Sequence, residues 1–190
     1  TTLTKKAIIK DYEGDYMAHF IHEGTSITGL SVAVPKQKID NRKDNPFFSE
    51  KEAEGIISKT GIEERRIAPE EICASDLSFF AADSLLKKMK TDRQDIALLI
   101  FVSQTADYRM PATGIILQDR LGLNTNCAAF DISLGCSGFV YGLNLAFAFA
   151  NQKGINKVLL LNGETRSRIY SAKDKKTGLL FGDAGSACLV

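Results

Sequence analysis

The stretch Phe139-Val140-Tyr141-Gly142-Leu143-Asn144-Leu145-Ala146-Phe147-Ala148-Phe149-Ala150 has helical character and almost no polar face. A helix that is apolar all round is stable only when it is covered on every side. One sheet buries one side of it, so this stretch calls for a second layer, from more of the same protein or from a partner chain. The chain also ends at Val190 inside a strand-like run, which carries the same expectation of further protein in cis or in trans. The first layer is legible upstream. Ile96-Ala97-Leu98-Leu99-Ile100-Phe101-Val102 lacks alternation and suits a strand buried on both faces, as in a parallel sheet covered by helices.

Around these two segments, strand and helix patterns alternate. A strand reads through 25–34 and is stopped by Pro35. A helix follows at 49–59, with Ser49 as N-cap, Glu52 three residues on, and Gly61 where a left-handed C-terminal residue is wanted. Ser75 is expected to cap a further helix. Leu77, Phe80, Ala81, Ser84, Leu85 and Met89 recur along it at three- and four-residue steps, and Lys87, Lys88 and Lys90 sit at its negative end. A helix at 113–121 closed by Gly122, a strand at 128–134 and a strand at 158–161 come next. After a polar connection at 164–176, Phe181-Gly182-Asp183-Ala184-Gly185 opens a last strand at 186–190, with Asp183 and its glycines read as structural turn residues. The pattern predicts an α/β domain over 25–190, with a mixed, mostly parallel sheet and right-handed crossovers. Residues 1–24 differ in composition, hold both histidines, His19 and His22, and are set apart as an N-terminal segment with no assigned role.

Between the strand at 128–134 and the apolar helix stands Gly135-Cys136-Ser137-Gly138. Small neighbours let the backbone turn sharply and leave the sulfur open to a substrate. A cysteine at a helix N-terminus faces unpaired N–H groups and the positive end of the macrodipole, which favours thiolate over thiol. Cys136 is therefore a candidate nucleophile, against the plainer reading of a small buried cysteine. The other cysteines, Cys73, Cys127 and Cys188, lie far apart with no C-x-x-C pair, so neither a metal site nor a disulfide framework is expected. A formal net charge of +1 without a basic stripe argues against nucleic-acid binding. No apolar run approaches the roughly 20 residues needed to span a bilayer, and no secretory pattern occurs, so no membrane association and a cytoplasmic location are expected.

Three short motifs, in order and at characteristic intervals, carry a resemblance: Thr60-Gly61-Ile62-Glu63-Glu64-Arg65-Arg66-Ile67-Ala68; Ala129-Phe130-Asp131 ahead of Gly135-Cys136-Ser137-Gly138-Phe139; and Phe181-Gly182-Asp183-Ala184-Gly185. From about Thr25 to Val190 the chain resembles the N-terminal half of β-ketoacyl-acyl-carrier-protein synthase III, of the thiolase superfamily. The resemblance implies a five-layered αβαβα fold of two similar halves, with the cysteine helix between the two sheets. It implies an acyltransferase that starts fatty-acid or polyketide chains. Cys136 would take an acyl group from acyl-coenzyme A, then lose it in a decarboxylative Claisen condensation with malonyl-acyl carrier protein. The Cys136 backbone N–H would form part of the oxyanion hole. Coenzyme A enters as a thioester substrate, and no metal or resident cofactor is implied. A homodimer is implied, in which a loop matching Tyr108-Arg109-Met110-Pro111 reaches the partner's acyl pocket, so that Met110 helps set acyl length. Lys59, Thr60 and Lys175 fall among the substrate-binding positions.

The chain also departs from the family pattern. Gly55 stands where many members place a tryptophan against adenine, and Lys59 and Lys175 replace arginines near the coenzyme's phosphates. Lysine pairs with phosphate as a point charge, without the bidentate fork, and a carrier-bound acyl donor is the alternative. The family's histidine and asparagine for the malonyl-derived carbanion belong to the C-terminal half, and His19 and His22 do not correspond to that histidine. These 190 residues are therefore expected to exchange thioesters but not to condense alone, and to self-associate. Two other readings are set beside the first. Hydroxymethylglutaryl-coenzyme A synthase needs a glutamate after the second strand, where Thr105 stands, and a hydroxyl cannot do that acid/base work. A non-catalytic half or subunit that pairs with a partner chain has no use for a thiol in an open turn.

Overall fold

The computed structural model describes residues 19–190, so of the N-terminal segment only residues 19–24 fall within it. Seven strands and four helices follow in chain order: β1 (Gly29–Ala33), β2 (Lys38–Asp40), α1 (Glu50–Thr60), β3 (Glu64–Arg66), α2 (Ala74–Met89), β4 (Leu98–Val102), α3 (Thr113–Arg120), β5 (Ala128–Ile132), α4 (Gly138–Ala150), β6 (Val158–Thr165) and β7 (Asp183–Leu189). Five strands form one sheet in the order β1-β7-β6-β4-β5, while β2 and β3 pair as a small antiparallel sheet. The sheet is mixed. β6, β4 and β5 run parallel, whereas β7 is antiparallel to both β6 and β1.

Period-two geometry explains why β4 needs no polar residues. Leu99 and Phe101 point to one face and pack with Leu159, Leu161 and Leu189 under α2 and α3. Leu98, Ile100 and Val102 point to the other and pack with Val158, Leu160 and Ala146 of α4. The helix lies close to the sheet because two of its positions lack a side chain. A Cβ at Gly138 would stand 2.6 Å from Val102 Cγ1, and one at Gly142 2.8 Å from Leu160 Cδ1.

Helix α1 is capped as expected. The Ser49 side chain accepts from the Glu52 N–H, the Ser49 N–H donates to the Glu52 carboxylate at 2.9 Å, and Gly61 closes the helix at φ 71°. Helix α2 begins earlier than Ser75. Its cap is Cys73, where the backbone is still extended, and the Cys73 N–H donates to Asp76 Oδ2 at 2.8 Å. Ser75 is instead a buried first-turn residue whose N–H and hydroxyl both donate to Asp107. A second correction concerns Phe181–Gly185. Asp183, Ala184 and Gly185 already belong to β7, and the buried Asp183 carboxylate accepts from Ala68 N, Ser167 N and Ser167 Oγ. It ties the β3 side and the β6–β7 connection to the sheet, and it does not form a turn.

The outward side of α4 is open where the sequence demanded cover: Phe139, Val140 and Tyr141 are exposed. The described part of the N-terminal segment touches this helix. His22 Nε2 donates to Asn144 Oδ1 at 2.7 Å and its ring packs against Phe147, so His22 is half-buried and not a free surface residue. No described helix is long and apolar enough to cross a membrane.

Candidate functional site

Strand β5 ends at Ile132, and the chain turns before α4 begins. The Gly138 N–H donates to Gly135 O at 2.7 Å and closes a four-residue turn around Cys136 and Ser137. Ser137 is the helix cap, so Cys136 lies one residue outside it, in the turn and not on the helix itself. With Gly138 pressed onto Val102, the turn is held at the C-terminal ends of the parallel strands β4, β5 and β6, where α/β sheets bind their ligands. Cys136 is the one exposed thiol among the four free cysteines. Burial pushes Cys127 and Cys188 up to about 11, which keeps those sulfurs protonated and inert. Cys73 is half-buried at the start of α2.

Two residues beside this turn were not singled out from the sequence. The Gln104 carboxamide lies against Gly135, with Oε1 2.8 Å from the position a Cβ would take there. Glu164, near the end of β6, accepts from the Gln104 N–H at 2.8 Å and from Thr105 Oγ1 at 2.7 Å. Thr105 Oγ1 in turn accepts from the Thr165 N–H at 2.9 Å. The carboxylate in this neighbourhood therefore comes from β6, and Thr105 acts as its hydrogen-bond donor. Glu164 was findable in principle, as the first charged residue after the apolar run Val158–Leu161, near the strand's C-terminal end. Asp131, from the motif ahead of the cysteine, accepts from the Thr113 and Gly114 N–H groups at the start of α3. Burial raises its pKa while those two hydrogen bonds oppose the rise. Asp131 thus fixes the helix that follows the loop 108–111. In that loop Met110 is 90% exposed, ahead of a cis peptide bond to Pro111.

The structure gathers some of the other expected binding residues and separates the rest. Lys59 and Lys175 share a cavity of about 390 Å³ with Phe48, Glu52, Gly55 and Ile56. Lys175 Nζ donates to Glu52 Oε1 at 2.8 Å and stands 4.7 Å from the centre of the Phe48 ring. The Lys175 bond, with two more from Ser49, holds the Glu52 carboxyl down to about 2. Thr60 does not line this cavity. Its hydroxyl donates to Ile56 O at 2.9 Å and accepts from Ile62 N, so it serves the end of α1. Met110 and Cys136 line it no more than Thr60 does. Among the described residues, no three His, Cys, Asp or Glu side chains gather as a metal site.

Comparison with known proteins bears on this arrangement. Residues 130–190 match the family model for 3-oxoacyl-acyl-carrier-protein synthase III. A β-ketoacyl-acyl-carrier-protein synthase III of Staphylococcus epidermidis is 40% identical over 164 residues, which are 86% of this chain and 50% of that protein. The corresponding protein of Caldanaerobacter subterraneus is 42% identical, over 86% of this chain and 49% of its own length. A crystal structure of a 3-oxoacyl-acyl-carrier-protein synthase from Burkholderia xenovorans superposes with a TM-score of 0.85 at 36% identity, covering 88% of this chain and 48% of that one. The synthase III from Thermus thermophilus gives a TM-score of 0.80 at 34% identity, over 87% and 51%. The chain therefore spans about half the length of the relatives it matches. In sequence, in motif order and in fold, it is similar over most of its length to the N-terminal half of β-ketoacyl-acyl-carrier-protein synthase III.

Proposed function

We propose that residues 25–190 are the cysteine-bearing half of a β-ketoacyl-acyl-carrier-protein synthase III-like acyltransferase, and that Cys136 is its nucleophile. The observation that carries this reading is the Cys136 turn. It is the exposed thiol, set in small residues at the C-terminal ends of three parallel strands, at the foot of an apolar helix. The likeness to named synthases supports the reaction class. The thiolate attacks the carbonyl carbon of an acyl-coenzyme A thioester, forming a Cys136 thioester and releasing coenzyme A as its thiol. The Cys136 backbone N–H faces the oxyanion as it develops. Malonyl-acyl carrier protein then loses carbon dioxide. The resulting enolate attacks the Cys136 thioester, which releases β-ketoacyl-acyl carrier protein and returns the thiolate.

In this reading coenzyme A is a substrate, Lys59 and Lys175 attract its phosphates, and Met110 extends towards the partner's acyl pocket in a cytoplasmic homodimer. Lys175 must first leave Glu52, so affinity for coenzyme A is expected to be weaker than an arginine would give. Thr60 contributes by holding the end of α1 in place beside Lys59. A purely non-catalytic subunit is disfavoured by the open thiol. The test is formation of β-ketoacyl-acyl carrier protein from acyl-coenzyme A and malonyl-acyl carrier protein, with a C-terminal half of the family supplied. Turnover that needs Cys136 supports the assignment, and turnover that persists undiminished in Cys136→Ala overturns it.

A further inference from the structure

A second cavity, of about 580 Å³, opens between the small β2–β3 sheet and the connection from β6 to β7. It has no residue in common with the Lys59–Lys175 cavity or the Cys136 turn. Three guanidiniums line it, Arg65, Arg166 and Arg168, against a single carboxylate, Glu70. Among the described residues none of the three arginines joins an ion pair. Their hydrogen bonds go to neutral oxygens. Arg65 donates to Asn41 Oδ1 and Phe181 O, Arg166 to the Tyr170 hydroxyl, and Arg168 to Pro69 O and Ile72 O.

A guanidinium carries five N–H donors, so each of the three keeps donors to spare. Asp183 acts electrostatically on Arg65, but its oxygens are already taken by Ala68 and Ser167. Arg166 is half-buried and, besides its bond to the Tyr170 hydroxyl, rests on two rings, 4.9 Å from the centre of Tyr170 and 5.6 Å from that of Phe181. Those two rings are stacked at 4.6 Å, which fixes the guanidinium in place. A half-buried cation with no carboxylate partner carries a desolvation cost that a bound oxyanion would offset.

We propose that this cavity binds a small phosphate-bearing organic molecule. Three planar forks arranged around one space suit a tetrahedral dianion with several oxygens, which a monovalent carboxylate matches less well. The volume lies within the roughly 300–1,000 Å³ of small-molecule sites, so there is room for more than the phosphate. Ile39, Ile67 and Ala172 add apolar lining that suits the organic part. The inference does not depend on the role of Cys136, and a failure of either leaves the other standing.

Calorimetric titration of the purified chain with phenyl phosphate, inorganic phosphate and benzoate tests it. The expected order is phenyl phosphate tightest, inorganic phosphate weaker, and benzoate weakest. Arg166→Gln and, separately, Arg168→Gln are expected to weaken phenyl phosphate at least tenfold, while a change at the exposed Lys153, which lines neither cavity, Lys153→Gln, leaves it unchanged. Circular dichroism identifies the variants that keep the fold, and either arginine variant that does so suffices. Absence of binding, binding of benzoate as tight as phenyl phosphate, or binding that survives both arginine substitutions would overturn the proposal. So would an equal loss of binding in Lys153→Gln.

Discussion

One face of the five-stranded sheet is finished and the other is not. Under α2 and α3, Leu99, Phe101, Leu159, Leu161 and Leu189 are buried almost completely. On the α4 face, Ile100, Val158 and Leu160 are equally buried, yet Val140 of the helix stays 67% exposed. Leu30 and Val32 of the edge strand β1 share this face through pairing with Cys188 and Ser186, and they too are open. The difference shows that α4 has more apolar surface than its own sheet can use. Gly138, Gly142 and Ala146 seat it on the sheet, Leu143, Leu145, Phe147 and Phe149 are partly buried beside them, and Phe139, Val140 and Tyr141 are left open.

The largest expected effect sets the two faces against each other. Phe101→Ala on the finished face should cost about 3–5 kcal/mol through lost burial and a cavity. Val140→Ala on the open face should stay within about 0.5 kcal/mol, as exposed substitutions do. Urea unfolding monitored by circular dichroism measures both, and equal losses would break the comparison. Next in size is self-association. The open face leaves Leu30, Val32, Phe139, Val140 and Tyr141 exposed together, so the chain should associate, and Val140→Lys should weaken that by about tenfold, or about 1.4 kcal/mol. Sedimentation of the wild-type chain as a clean monomer at high concentration would contradict the reading of α4.

Two smaller effects, outside both faces, provide a baseline. Ser49→Ala removes half of the capping box of α1 and should cost about 1 kcal/mol wherever the measurement is made. Lys175→Gln should return the Glu52 carboxyl from about 2 towards its ordinary 4.5, read by NMR titration. The sign follows from linkage. A depressed carboxylate stabilises the fold above its ordinary pKa, and that contribution is lost as the pH falls from 4.5 towards 2. In Lys175→Gln this acid sensitivity should shrink, by a small amount because Glu52 is solvent-exposed.

What could be read in advance was local. The Ser49 box, the Gly61 cap, the doubly buried β4 and the need to cover α4 all follow from residues a few positions apart. So does the turn around Cys136, because the flanking glycines leave the backbone free to bend sharply between strand and helix. What escaped depends on contacts between distant segments. Glu164 meets Gln104 and Thr105 across some sixty residues, and His22 meets Asn144 across more than a hundred. Ser75 looks like a cap by composition, but Asp76 pairs with the Cys73 N–H and moves the helix start upstream. Asp183 looks like a turn residue until its three donors are seen to come from two other parts of the chain.

The central claim is that one sulfur of four is built to accept an acyl group. Incubation with an acyl-coenzyme A, followed by proteolysis and peptide mass spectrometry, tests it without any need for condensation. The account predicts acylation at Cys136, absent in Cys136→Ala, with Cys127 and Cys188 unlabelled because burial holds them protonated near 11 and Cys73 unlabelled at its half-buried cap. Comparable labelling of Cys73, Cys127 or Cys188, or labelling that persists in Cys136→Ala, would contradict it.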